Sequence, residues 1–420
     1  MRIPFLGHEK RQWMNPLVFF SVPMFFAFLA DGSSSYIFPI VTENVLGSNF
    51  ALGLVMASSS VAGILCDVLF PSLLQKVSWQ MQVILGIVLS AFFPLLIALG
   101  LHFHQGIFFL IASIVWGVYY ELLSFAEQNF TIVEEEKKSF AKVWGVLFAV
   151  MQGTGIVGPI LGSIFLDLSL FQMTSMVLGF SILAFLFSLP LLIGIKNAHV
   201  PQRESGIRRS MKFITELRYW KIFVPHIMPA IIMGIWLESI EATFWTLGGL
   251  FGQSVMGEGF DWLPTVLYSA PLLLGSLLLT KLPIVEHKKR ISQIGLLCAG
   301  IALLPLAWTT HSLLLTGILI FVSALALSFS GPLNEAVYSD LLLRSDNYKQ
   351  DLLGLEKANS SLAYIFMPIL IGIISDVVGY SNVFSLLGGV TVILSCILLV
   401  ITPKKLKIPH NELAEVAERT

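Results

Sequence analysis

The sequence predicts an all-α polytopic membrane protein with twelve transmembrane helices in two pseudo-symmetric six-helix bundles. Three observations predict it: the composition, the placement of the basic residues, and an internal repeat. Of 420 residues, 56% are hydrophobic and 12% are charged, whereas about a quarter of a soluble domain is charged. Mean hydropathy is +0.83. Without water to satisfy the backbone, a spanning segment is a helix or a strand of a closed barrel. The long unbroken apolar runs exclude the barrel, whose strands would alternate.

A helix needs about 20 apolar residues to cross about 30 Å of hydrocarbon. On that measure the spans fall, in order, at 16–41, 50–75, 80–101, 106–131, 140–166, 171–195, 220–249, 262–284, 291–308, 312–341, 352–377 and 382–402. The first follows Lys10 and Arg11 and has no short core with a cleavage site, so it reads as a retained span and not a signal peptide. Trp79, Trp144, Trp220, Trp262 and Trp308 stand near predicted helix ends, where indole favours the headgroup region.

Numbering the intervals alternately puts every Lys and Arg on one side. They are Arg2, Lys10 and Arg11; Lys76; Lys137, Lys138 and Lys142; those between 196 and 221; those between 281 and 290; Arg344, Lys349 and Lys357; and Lys404, Lys405, Lys407 and Arg419. The intervals near 42–49, 102–105, 167–170, 250–261, 309–311 and 378–381 have none. The positive-inside rule makes these external and both termini cytoplasmic, in a plasma membrane. The net charge of −1 gives no sign of a nucleic-acid partner, because the basic residues serve topology. Cys66, Cys298 and Cys396 lie in apolar runs, which reads as packing and not as a disulfide or thiolate metal site.

The basic interval after the sixth span divides the chain into an N-terminal bundle (1–195), a cytoplasmic linker (196–219) and a C-terminal bundle with a short tail (220–420). The segment 204–218 reads as a plain connector, with a surface helix as the alternative. A shift of 209 residues lays Pro159, Ile160, Leu161, Ile164 and Asp167 on Pro368, Ile369, Leu370, Ile373 and Asp376, and Gly145 on Gly354. A shift of 208 pairs Glu127, Phe130 and Thr131 with Glu335, Tyr338 and Ser339. Parallel repeats of this kind place a solute site between the halves, near mid-membrane.

The plan resembles the major facilitator superfamily (MFS) over about residues 15–402. The most specific residues are in the fifth span. Antiporter members carry G, eight residues, G, three residues, G-P, two residues, G-G; here the positions read Gly145, Thr154, Gly158, Pro159, Gly162, Ser163. Two of the six depart from the pattern, although Gly153 and Gly155 flank Thr154. Small residues let helices approach closely, and Pro159 removes a backbone donor, so Gly158, Pro159 and Gly162 read as gating or structural. The family's loop signature after the second span survives only in part, at Pro71, Leu73, Gln75, Lys76, Ser78 and Gln80.

The interior is acidic only. Asp31, Asp67, Glu121, Glu238 and Glu241 fall well inside the spans, whereas the lysines within the span bounds, Lys142, Lys221, Lys281 and Lys357, all stand within a few residues of a cytoplasmic end. A charged carboxylate at bilayer depth costs roughly 2.5–3.5 kcal/mol, so each needs a cavity, a partner or a proton. These five are the candidates for proton or cation coupling. Glu238 and Glu241, three apart, share a helix face. Glu127 and Glu335 read as a symmetric gate near the cytoplasmic ends. His226 reads as a satisfied helix-end residue; Asp340 and Glu356 read as solvated. The resemblance implies that the first, fourth, seventh and tenth helices line the cavity, which makes Tyr36, Trp116, Tyr120, Trp236 and Trp245 the lining candidates, with Tyr119, Phe244 and Tyr338 on the same helices. Aromatic faces beside carboxylates suit a bulky, apolar or cationic solute.

No H-E-x-x-H, P-loop or intramembrane aspartyl motif is present, so no enzyme, metal or cofactor is expected. The expected partners are a small-molecule solute, a coupling proton or sodium ion, and the lipid bilayer. The reading is a proton-coupled antiporter that exports hydrophobic or cationic compounds. The alternatives are a proton- or sodium-coupled nutrient symporter, and a non-transporting receptor or lipid-handling protein on the same scaffold.

Overall fold

The computed structural model describes residues 16–74, 77–135, 140–194, 207–257, 259–279, 287–344 and 349–403. Residues 1–15, 75–76, 136–139 (with Lys137 and Lys138), 195–206 (with the first half of the linker), 258, 280–286, 345–348 and the tail from 404 lie outside the described residues.

Fourteen helices build the described chain: α1 (Pro16–Leu46), α2 (Asn49–Leu73), α3 (Trp79–Ser90), α4 (Phe92–Phe103), α5 (Gly106–Glu135), α6 (Phe140–Leu166), α7 (Leu170–Gly194), α8 (Ile207–Val255), α9 (Leu263–Leu279), α10 (Lys288–Leu303), α11 (Leu306–Thr309), α12 (Leu313–Arg344), α13 (Lys349–Val378) and α14 (Tyr380–Ile401). They form twelve spans, because two predicted spans are each broken. Pro94 has no N–H for the carbonyl four residues back, and the third span is interrupted at Ala91 between α3 and α4. Pro305 separates α10 from α11 in the same way. Eleven spans among the described residues are long and apolar enough to cross a bilayer, and the apolar part of α9 (Leu263–Gly275) is shorter. The chain is an integral, multi-pass membrane protein. Its outward apolar side chains, such as Val400, Phe171 and Val377 at 80–84% exposure, form the kind of surface that lipid covers.

Two sequence expectations change here. The segment 207–219 continues α8 as one helix of 49 residues and is not a plain connector. At the other end, α8 runs to Val255, so the expected loop 250–261 is half helix. The cysteines also differ from expectation: Cys66 is buried, but Cys298 and Cys396 face outward and are not packing residues.

Helices α1 to α7 pack among themselves: α1 on α6 and α7, α2 on α5, and α3 on α5 and α7. Helices α8 to α14 repeat the pattern, with α8 on α13, α9 on α12, and α10 on α12 and α14. The two sets meet where α2 packs on α13, α6 on α9 and α1 on α8. The 209-residue shift exchanges α6 with α13, so the α2–α13 and α6–α9 contacts are equivalent pieces of the duplication.

Close approach within the first set depends on glycine. A Cβ on Gly158 of α6 would lie 2.5 Å from the carbonyl carbon of Gly32 on α1, and one on Gly32 would lie 2.9 Å from the Thr154 carbonyl oxygen. Gly162 faces the Ser33 carbonyl and the Tyr36 ring. Thr154 is buried and turns its hydroxyl back to the carbonyls of Val150 and Met151, so a residue larger than the expected glycine fits.

Candidate transport cavity

A cavity of about 430 Å³ lies between the two sets of helices. From the first set it is lined by Asp31, Ser35, Ser59, Ser60, Trp116, Tyr120, Glu121 and Gln152; from the second by Glu238, Glu241, Trp245, Tyr268, Ser269, Ser360 and Tyr364. Its lining includes no Lys, Arg or His. Four of the five predicted coupling carboxylates therefore share one space. Asp67 is half-buried on α2 and is not part of the lining.

Each wall holds its carboxylates with neutral donors. On the first, the Tyr119 hydroxyl donates to Asp31 at 2.5 Å, and the Trp116 indole also reaches it. Trp116 is set by stacking on Phe93, with ring centroids 5.4 Å apart. Glu121 packs against Gly63 of α2, where an added Cβ would lie 3.4 Å from its Oε1. On the second wall, the Ser360 hydroxyl donates to Glu238 at 3.2 Å. Trp245 and Tyr364 reach Glu241. Glu238 and Glu241 stand about one turn apart and feel each other's charge. Tyr268 stacks on Phe244 at 4.2 Å and presents its hydroxyl edge to the same pair. Tyr120 stands between the walls, within the field of Asp31, Glu121 and Glu241.

Two predicted lining residues belong elsewhere. Tyr36 is 3% exposed and donates to Asp261 at 2.8 Å, outside the cavity. Trp236 points the other way on α8, where its indole N–H donates to the Thr391 hydroxyl at 2.8 Å. The other aromatic candidates divide as well: Tyr119 serves Asp31, Phe244 supports Tyr268, and the Tyr338 hydroxyl accepts from Asn359 at 2.8 Å. The predicted Glu127–Glu335 symmetry fails at the carboxylates. Glu127 is 5% exposed with Oε1 lacking a hydrogen-bond partner, whereas Glu335 is exposed. The repeat is kept by the aromatic partners, since Phe130 and Tyr338 are both buried. His226 behaves as expected, bonding the Ile222 carbonyl at 3.0 Å. Asp340 pairs with Lys288 at 3.0 Å and is half exposed. The Glu356 side chain lies outside the described residues.

Sequence reasoning missed Tyr268, Ser269, Ser360 and Tyr364 because it confined the lining to four helices. Polar side chains inside the apolar runs of α9 and α13 were the available signal. It also missed Asp261, which the 250–261 interval had placed in an external loop.

The helical plan, the two matched sets and the central cavity define the transporter fold of the major facilitator superfamily. The nucleoside transporter NupG superposes with a TM-score of 0.71 at 13% identity, over 92% of this chain and 98% of that one. A POT family transporter solved with a thioalcohol-conjugated peptide gives 0.72 at 14%, over 93% and 96%. The human organic anion transporter MFSD10 gives 0.62 at 15%, over 92% and 100%. The likeness is one of fold. No protein-family model and no curated protein matches the sequence.

Proposed function

We propose that the chain is a proton-coupled secondary transporter that exports hydrophobic or cationic small molecules by alternating access, with both termini cytoplasmic. One observation carries the reading: Asp31, Glu121, Glu238 and Glu241 line a single aromatic-walled cavity that has no basic lining residue. Four carboxylates lining one cavity without a basic neighbour there are costly to ionise in a low dielectric, so protons or a cationic solute must neutralise them. Indole and phenol faces at Trp116, Tyr120, Trp245, Tyr268 and Tyr364 add cation–π attraction for an organic cation. An anionic solute would meet only like charge, although one structural neighbour is an organic anion transporter.

Purified protein in proteoliposomes, with an imposed pH gradient, tests this against a panel of organic cations, nucleosides, peptides and organic anions. Exchange of an organic cation with loss of the pH gradient is the expected result. Co-transport of a neutral nutrient with protons would select the symporter, and no flux with any solute would favour the receptor reading. Asp31→Asn mimics the protonated acid, so it should keep solute exchange and lose gradient-driven accumulation. Full gradient-driven transport by that variant, with an unchanged pH profile, moves the coupling role to Glu238 and Glu241.

A further inference from the structure

At the end of the molecule assigned to the outside, two carboxylates that stand apart from the cavity bridge the two sets of helices. Asp261, 7% exposed, lies in the short connection between α8 and α9. Its two oxygens accept from different helices of the other set: Oδ2 from the Tyr36 hydroxyl of α1 at 2.8 Å, and Oδ1 from the Ser163 hydroxyl of α6 at 2.5 Å. Asp376, near the end of α13, accepts at the start of α2 from the backbone N–H groups of Asn49 (2.8 Å) and Phe50 (3.0 Å) and from the Ser48 hydroxyl (3.0 Å). Tyr380 adds a bond to the Asn49 side chain at 3.2 Å. Both carboxylates belong to the second set of helices and all their donors to the first.

Backbone contact surrounds these bonds. Gly53 of α2 lies against the Pro368 carbonyl of α13, and Gly372 of α13 against the Asn49 carbonyl, so neither position has room for a Cβ. The duplication shows what is unusual. Asp167 is the repeat mate of Asp376, yet it is exposed, and at the equivalent α6–α9 contact the acceptor is Asp261, from the opposite partner. Each of the two repeat-related interfaces, α2–α13 and α6–α9, has one carboxylate from a different place in the repeat, and the two stand on the same half. Bonds to a charged acceptor are roughly twice as strong as neutral ones, and parting the two sets at this face breaks them together.

We propose that Asp261 and Asp376 form a two-point latch that holds the outer face closed, and that weakening either acceptor shifts the chain toward the state open at that face. The inference rests on alternating access between the halves, but not on any solute or coupling ion. It is therefore tested without transport. In a background with the three native cysteines replaced, Ser269→Cys reports the cavity through a membrane-impermeant maleimide added to intact cells. Ser60→Cys reports it from the cytoplasmic face in inside-out vesicles.

Asp261→Asn and Asp376→Asn should each raise external labelling of position 269 at least about tenfold and slow labelling of position 60. Opposite changes at the two faces mark a shift of conformation, whereas general unfolding would raise both. Tyr36→Phe combined with Ser163→Ala should match Asp261→Asn, and adding Asp261→Asn to that pair should change little further. Asp167→Asn should label as the parent does. Parental labelling at both faces in folded Asp261→Asn and Asp376→Asn overturns the latch. If the Asp261 variant does not fold, Tyr36→Phe decides the same point, and parental labelling there overturns the α1 contact.

Discussion

Three glycines within six residues of α6 should respond differently to the same added methyl group, because their surroundings differ. At Gly158 a Cβ would lie 2.5 Å from the carbonyl carbon and 2.7 Å from the Cα of Gly32. Carbon atoms prefer about 3.5–4.0 Å, so Gly158→Ala requires α1 and α6 to separate by about 1 Å. The obstructing atoms are backbone, which cannot rotate away. Overpacking of that kind costs about 1–3 kcal/mol. Gly153 has nothing within 4 Å of the added Cβ, and Gly→Ala within a helix gains up to about 1 kcal/mol from backbone entropy. Gly155 also has open space, but it lines the cavity, so its methyl group should alter solute binding with little effect on stability. The measurement is the melting profile of detergent-solubilised protein by fluorescence-detected size exclusion, with cavity ligand binding as the second readout. The expected order of thermal stability is Gly153→Ala at or above the parent, Gly155→Ala near it, and Gly158→Ala clearly below. Equal midpoints for Gly153→Ala and Gly158→Ala would refute the close α1–α6 crossing as the reason for the motif.

The remaining predictions address topology and the two tryptophans of α8. Single cysteines introduced at 103, 169, 255 and 380 should be labelled from outside intact cells, and one at 205 should not; labelling at 205 in sealed cells would reverse the orientation. Trp236→Phe removes a hydrogen bond to Thr391 and should lower stability by about 1 kcal/mol while leaving the solute profile intact. Trp245→Ala should weaken half-saturation for aromatic cations severalfold with a smaller effect on melting. Reversal of that pair of outcomes would contradict the assignment of Trp236 to packing and Trp245 to the cavity.

The sequence revealed most where lipid imposes a simple rule. Hydrocarbon excludes charge and demands satisfied backbone, so spans, charge asymmetry and buried acids could be read along the chain, and four of the five acidic candidates share the cavity. The helix breaks were also visible in principle, since Pro94 and Pro305 lie in runs otherwise long enough for unbroken helices. What escaped depended on rotation about a helix axis. Trp236 and Trp245 are nine residues apart on α8, and no alternation of polarity in that apolar run says which indole faces a cavity and which faces α14. The duplication misled for a related reason. It carries the packing of helices faithfully, as the matched α1–α6 and α8–α13 pairs show, but each half has since found its own side-chain partners, so Glu127 and Glu335 diverge where Phe130 and Tyr338 do not.

The division of polar chemistry follows from the same economy. Between the two sets of helices, Asp261 and Asp376 meet fixed donors: hydroxyls and the first N–H groups of α2. In the cavity, Asp31 and Glu241 also meet neutral donors, but from indole and phenol side chains that leave one side of the cavity open. A carboxylate with all its oxygens engaged across an interface resists separation of its partners, which suits closure. A carboxylate with donors on one side only still lacks a positive partner, which suits a site that must be filled and emptied. The distinction lies in where the donors come from. Asp261 and Asp376 draw theirs from the opposite set of helices, whereas Asp31 and Glu238 draw theirs from their own. Moving the two sets apart would therefore break the first group of bonds and leave the second intact, which is what the proposed latch requires.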